Sequence, residues 1–252
     1  HMARFLPRNL RNAWGRLASG AGADNVKNLL ALAGNPDYIS YWDDFIGQSA
    51  GTWPADANWG YPATNGTGTQ TVAIDATAFG GTLRLTTDTN DADSALQKVG
   101  RHWRGTEGIY YIAKFNLNDV TTAKFEVGLA DAITGDTGMV ATKATPTHTG
   151  TAYAVMCFDT ADDTNVSFIS AAAGATCANA DWSGTLVAGT DIIVEIVVRG
   201  GFCSGYVNGQ LVGGGAITAT TILTPHLMVL TRVAGARILV VDYQGCIGPR
   251  AA

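Results

Sequence analysis

The chain has 252 residues, 46% of them apolar and only 15% charged, with a formal net charge of −5. Thirty-one glycines and thirty threonines stand against three glutamates (Glu107, Glu126, Glu195), so strand and turn formers abound where helix formers are scarce. This balance excludes a helical bundle, a coiled coil, a Lys/Arg-rich nucleic-acid binder and an intrinsically disordered chain.

The first 37 residues differ from the rest. Every threonine lies at or after Thr52, and through residue 30 five cations (Arg4, Arg8, Arg11, Arg16, Lys27) face one anion, Asp24. That stretch carries +4 and the remainder −9. Asp24 is placed to N-cap a short helix over Val26, Leu29, Leu30 and Ala33, stopped by Gly34 and Pro36. Arg4, Arg8 and Arg11 share a helical face, although Pro7 limits the first turn. With so few apolar residues this segment must dock on its own body, a second copy or another protein. The expected organisation is a basic arm (1–37) ahead of one domain (38–252). His1-Met2 reads as a vector scar, with the natural start at Met2, and no apolar run suggests a secretory leader. No stretch reaches the ~18 apolar residues of a membrane helix.

From Tyr38 onward the pattern is of strands. They are expected at 38–45, 70–74, 82–86, 95–99, 108–116, 123–129, 153–158, 166–170, 191–199, 202–207, 210–212, 226–231 and 236–243. Gly80-Gly81, Gly200-Gly201 and Asn208-Gly209 mark turns. In 123–129, Ala123, Phe125, Val127 and Leu129 point one way, and Lys124, Glu126 and Gly128 the other, which predicts one buried and one solvent-facing side. Thr134–Gly150 reads as a long surface loop and Gly213–Gly215 as a flexible turn. Many short strands with frequent turns predict an all-β sandwich or barrel. The four cysteines (Cys157, Cys177, Cys203, Cys246) form no CxxC pair and are too few for a disulfide scaffold. They are expected as free thiols packed like small apolar groups.

Three groups of residues could carry function. Aromatics crowd Tyr38 to Tyr61, and Trp53, Trp59 and Tyr61, with His102 and Trp103 of the Arg101-His-Trp-Arg104 cluster, are candidate glycan contacts; the competing expectation is core packing and a cationic surface loop. Two acidic loops, with Asp88, Asn90 and Asp93 in one and Asp159 and Asp163 in the other, could present oxygens to calcium. Neither has the glycine and distal glutamate of an EF-hand, and Asx-turns account for them equally well. No metal or cofactor is therefore expected. Glu126, Glu195 and Glu107 begin no paired-carboxylate pattern for glycoside hydrolysis, no G-x-S-x-G elbow is present, and His226 reads as structural, so enzymatic activity is not expected.

The C-terminal third carries a more specific pattern: Gly205-Tyr-Val-Asn-Gly-Gln-Leu-Val212, then Thr224-Pro-His-Leu-Met-Val-Leu230, then Ala236-Arg-Ile-Leu-Val-Val-Asp-Tyr243. With Phe125-Glu-Val-Gly-Leu-Ala-Asp131 and the entry segment Tyr41-Trp-Asp-Asp-Phe-Ile-Gly47, it resembles the concanavalin A-like, laminin-G-like jelly roll over about residues 38–247. The resemblance implies an antiparallel β-sandwich whose entry strand pairs with its last. With the Gly/Thr-rich, Glu-poor composition it is similar to structural proteins of tailed bacteriophages. That likeness implies a non-enzymatic virion protein, a capsid decoration protein foremost. Such a protein would attach to the major capsid protein or another virion protein through Arg4, Arg8, Arg11, Trp14, Arg16, Leu29 and Leu30. It would form a homo-oligomer, with a trimer expected, and reside on the capsid or tail. The alternative is a carbohydrate- or receptor-binding module of a tail fibre that meets a host-surface glycan. Neither a nucleic-acid nor a membrane partner is implied.

Overall fold

The computed structural model describes residues 38–43, 51–52, 61–65, 71–75, 81–89, 93–97, 103–105, 108–131 and 138–249, with 38–43, 51–52, 61–65, 93–97 and 148 described as backbone. In chain order the strands are β1 (Tyr38–Asp43), β2 (Gly51–Thr52), β3 (Tyr61–Asn65), β4 (Thr71–Asp75), β5 (Thr82–Thr86), β6 (Asp93–Gln97), β7 (Trp103–Arg104), β8 (Ile109–Leu117), β9 (Ala123–Ala130) and β10 (Val140–Thr142). They continue as β11 (Thr147–His148), β12 (Tyr153–Asp159), β13 (Val166–Ala172), β14 (Ala175–Asp181), β15 (Ile192–Arg199), β16 (Phe202–Val207), β17 (Gln210–Ala216), β18 (Ile222–Thr231) and β19 (Ile238–Pro249). The short helix expected over 24–33 lies outside the described residues.

Two antiparallel sheets face each other. The first runs β17-β16-β15-β8-β19-β5-β4-β2, and β1 also pairs with β19. The second runs β14-β13-β12-β9-β18-β6-β3, with β7 on β18. The register of β19 shifts between Val241 and Tyr243. Its first half pairs with β5 and its second with β1, so the entry strand does meet the last one. The inner faces supply the core. β8 contributes Ile109, Tyr111, Ala113, Phe115 and Leu117, and β9 contributes Ala123, Phe125, Val127 and Leu129. Phe125 sits edge-on to Phe115 at 5.1 Å and stacks on Phe158 at 5.7 Å. Cys157, Cys203 and Cys246 are buried, Cys177 is half-buried, and all four are free thiols.

Asn208 and Gly209 both have positive φ (51° and 77°) and close the β16–β17 hairpin, the backbone of a type I′ turn. Three expectations need correction. Gly213–Gly215 is strand, part of β17. Strand β14, not foreseen, lies against it, and a Cβ on Gly215 would fall 2.5 Å from the Cys177 carbonyl oxygen. These glycines let the two sheets close at that edge. Gly215→Ala is expected to cost about 1–3 kcal/mol in urea unfolding; an unchanged midpoint would mean that β14 can back away. Second, 123–129 has no solvent face, because Lys124 and Glu126 are as buried as Phe125. Third, the stretch read as a surface loop is what buries them. It carries the β10–β11 hairpin, and its Met139, Val140 and Lys143 are buried.

Candidate functional site

The outer face of the second sheet has two halves. Over β9, β12 and β13, Met139 and Val140 pack on Ala130, Tyr153, Val155, Cys157, Ile169 and Ala171. This strap is held by charge as well as by apolar contact. The Glu126 carboxylate accepts the Met139 N–H at 2.7 Å and the Val140 N–H at 3.0 Å, and Lys124 Nζ lies 3.1 Å from Glu126 Oε1 while donating to the Val140 carbonyl. Gly138, at φ 73°, lies so close that a Cβ there would come within 2.4 Å of Glu126 Oε1. The far end of the strap is tied down by Lys143, which donates to Asp163 and to the Asn165 carbonyl at 2.7 Å, and by its N–H, 2.5 Å from Asp162.

Burial by itself would push the Glu126 carboxyl up. Lys124, His226 and the Val140 amide outweigh it and bring the pKa to about 2. Burial would likewise pull the Lys124 ammonium down, yet Glu126 and Asp159 hold it above its ordinary value. Because the folded-state pKa of Glu126 is depressed, its contribution to stability is complete above about pH 5 and is lost as the pH falls toward about 2. Urea midpoints followed through that window should decline more in the parent chain than in Glu126→Gln; parallel declines would mean that other carboxylates carry acid unfolding.

The second half of the face belongs to β18, β6 and β3. His226 stands at the boundary, fully buried on β18, with Nε2 3.4 Å from Glu126 Oε2. That contact is longer than a good hydrogen bond, and neither imidazole nitrogen has a hydrogen-bond partner among the described residues. Strand register carries the row outward: Gly128 pairs with His226, His226 with Gln97, and Gln97 with Tyr61. A carboxylate held ionised thus adjoins an imidazole on the neighbouring strand.

The residues singled out from sequence scatter. Tyr61 is in the row of His226. Trp103 is not a glycan contact: it is fully buried on β7, and a Cβ at Gly248 would meet it at 2.5 Å. Trp53, Trp59, His102, Asn90 and the side chain of Asp93 lie outside what is described, as do Arg4, Arg8, Arg11, Trp14, Arg16, Leu29 and Leu30. The acidic-loop carboxylates are already engaged. Asp88 accepts from Thr89, Asp163 from Lys143 and the Asn165 N–H, and buried Asp159 from Arg232 Nε at 2.8 Å and from a second nitrogen of the same guanidinium. Arg232→Ala would leave that carboxylate with Lys124, 4.0 Å away, as its cation. A loss of about 2–4 kcal/mol in urea unfolding is expected; less than about 0.5 would show that Lys124 suffices. Among the described residues no three His, Cys, Asp or Glu group as a metal site. The Glu126–His226 pair was missed from sequence because its halves lie on strands far apart in the chain.

No protein-family model matches the chain, and no curated protein does. Among solved structures it is similar to LamA of Z. galactanivorans, crystallised with laminaritriose and laminaritetraose (TM-score 0.59, 10% identity, 84% of this chain and 99% of that one). It is also similar to a structure from work on endo-acting O-glycanases of the human gut microbiota (0.57, 10%, 82% and 97%). A third is the carbohydrate recognition domain of Emp47p (0.53, 9%, 84% and 95%). The fold is a concanavalin A-like jelly roll. The expectation of a non-enzymatic virion protein, and with it the exclusion of enzymatic activity, is corrected by these neighbours: the architecture carries endo-acting O-glycanases, and capsid or tail placement finds no support among them. A carboxylate pair along one strand is a single kind of acid–base constellation; the Glu126–His226 contact forms instead between two strands, β9 and β18.

Proposed function

We propose that the chain is a carbohydrate-active jelly roll, binding a polysaccharide over the β18–β6–β3 half of the second sheet and cleaving it by acid–base chemistry at His226. The observation that carries this reading is His226 at the boundary of that face, with Nε2 3.4 Å from the ionised Glu126 and neither ring nitrogen hydrogen-bonded among the described residues. Glu126, held by amides and Lys124, lies against the imidazole and orients it. Backbone register places Gln97 of β6 opposite His226 and Tyr61 of β3 opposite Gln97. The architecture is shared with proteins whose structures concern laminarin oligosaccharides and mucin O-glycans.

The test is a panel of neutral β-glucans, mucin glycans and uronate polymers, read for new reducing ends and, separately, for binding. Cleavage of at least one polymer is expected, with His226→Asn slowing it about 100-fold or more while binding persists. The reading is overturned if no polymer is bound or cleaved, or if His226→Asn cleaves at the parent rate.

A further inference from the structure

At the edge of a sheet, amides and carbonyls without a neighbouring strand invite another one unless something guards them. Most of the strands that end the two sheets carry a guard. β2 and β7 are two residues long, β3 contains Pro62, and β1 and β14 end on Asp43 and Asp181. β17, Gln210-Leu-Val-Gly-Gly-Gly-Ala216, has neither charge nor proline, and among the described residues a strand pairs with it on one side only. Its register with β16 skips Val212, near its start, and leaves Gly213–Ala216 as a regular edge. The neutrality extends further, with no Asp, Glu, Lys or Arg between Arg199 and Arg232. The face beside this edge is apolar and open. Cys203 and Val207 of β16 belong to the core, so Phe202 and Tyr206 point outward, and Leu211 lies opposite Tyr206. Phe202 is 53% and Leu211 58% exposed. The Phe202 ring leans out over the edge strand, since a Cβ on Gly214 would lie 3.0 Å from its Cε1 and Cζ.

We propose that β17 is the seam of a dimer. Two copies pair their β17 strands antiparallel about a two-fold axis near Gly214, join their first sheets into one and bury Phe202 and Leu211. Two observations favour a second copy over a foreign strand. The first is charge. Two chains of net charge −5 repel each other over most of their surface, and the uncharged run is where they can meet without facing like charges. The second is shape. At about 4.8 Å per strand, the two β16 strands would stand about 14 Å apart across the paired edges. Each Phe202 ring reaches one strand outward, which leaves about 5 Å between the rings, the separation of an aromatic contact. Self-pairing also sets Gly214 opposite Gly214, so no side chain on the edge strands stands between the two rings. A strand with ordinary side chains at that position would push against Phe202.

The experiment follows the full chain by sedimentation over a concentration series up to about 100 μM. A monomer–dimer equilibrium is expected. Leu211→Lys with Ala216→Lys, both at exposed positions, should raise its dissociation constant about tenfold or more, because each edge then turns like charges on the other. The urea midpoint of dilute protein should stay unchanged, which separates lost pairing from misfolding. The seam itself is located with the photo-crosslinker benzoylphenylalanine in place of the exposed Leu211. After irradiation and digestion, a band at dimer mass linked to a peptide within residues 202–217 of the second copy is expected. A parent chain that stays monomeric or assembles beyond a dimer overturns the proposal. So does a double-lysine variant that dimerises as tightly as the parent, or a crosslink within one chain or outside residues 202–217. None of these readouts involves His226 or polysaccharide, so failure here and failure of the saccharide reading are distinguishable.

Discussion

Glu126→Ala is expected to cost the folded chain about 3–5 kcal/mol, seen as a lower urea midpoint at neutral pH. Lys124 is fully buried, and without Glu126 its ammonium keeps the Val140 carbonyl and an Asp159 oxygen 4.0 Å away that Arg232 already engages. The Met139 and Val140 amides lose their acceptor at the same time, so the strap comes away from β9 and β12. The sign depends on removing one partner and stranding the other. Lys124→Met with Glu126→Met removes both charges and keeps apolar volume, so it should recover at least half of the loss. A loss below about 1 kcal/mol for Glu126→Ala would mean that the strap is held by Met139 and Val140 packing instead, and that Glu126 is free to act otherwise.

Phe125→Ala is expected to cost a similar amount, about 3–5 kcal/mol, by a different mechanism. Phe125 is the ring at which the sheets interlock, with Phe115 of the first sheet at 5.1 Å and Phe158 of its own sheet at 5.7 Å. Truncation leaves a cavity between two rigid faces that cannot collapse onto it, since strand pairing holds β8 and β9 at both edges. Phe125→Leu, which refills most of the volume, should retain more than half of the stability. If alanine and leucine proved equal, the rings would not be in contact as described. In contrast with Glu126→Ala, this loss should hardly change below pH 4, where the Glu126 contribution is already fading.

Much of the fold was legible because the strands alternate and their turns use distinctive residues. Thr82–Thr86 and Phe202–Val207 were placed without error, and Asn208-Gly209 announced its hairpin through its need for positive φ. Boundaries failed where side chains no longer alternate. Strand β14 is Ala-Thr-Cys-Ala-Asn-Ala-Asp, a half-exposed edge without an apolar stripe, and β18 starts at Ile222, four residues before His226. The candidate site was mostly illegible. Trp103 resembles a sugar-stacking residue in a cationic cluster, and its burial follows from which strand it meets. Lys124 and Glu126 look like the solvent side of an alternating strand, and nothing local says that residues 138–143 will return to cover them.

The sequence by itself determined an all-β sandwich or barrel, because period-two alternation and turn chemistry are local properties that each strand displays on its own; the jelly roll was what the concanavalin A-like resemblance implied. It also determined the contrast between a basic N-terminal stretch and an acidic body. Tertiary structure alone decided which polar groups are buried and which of them meet. The Glu126–His226 contact exists because β9 and β18 pair in one register, and Glu126 is held ionised because a strap from another part of the chain aims two amides at it. Charge placement of that kind depends on desolvation and distance in three dimensions, and neither is encoded in the spacing of residues along the chain.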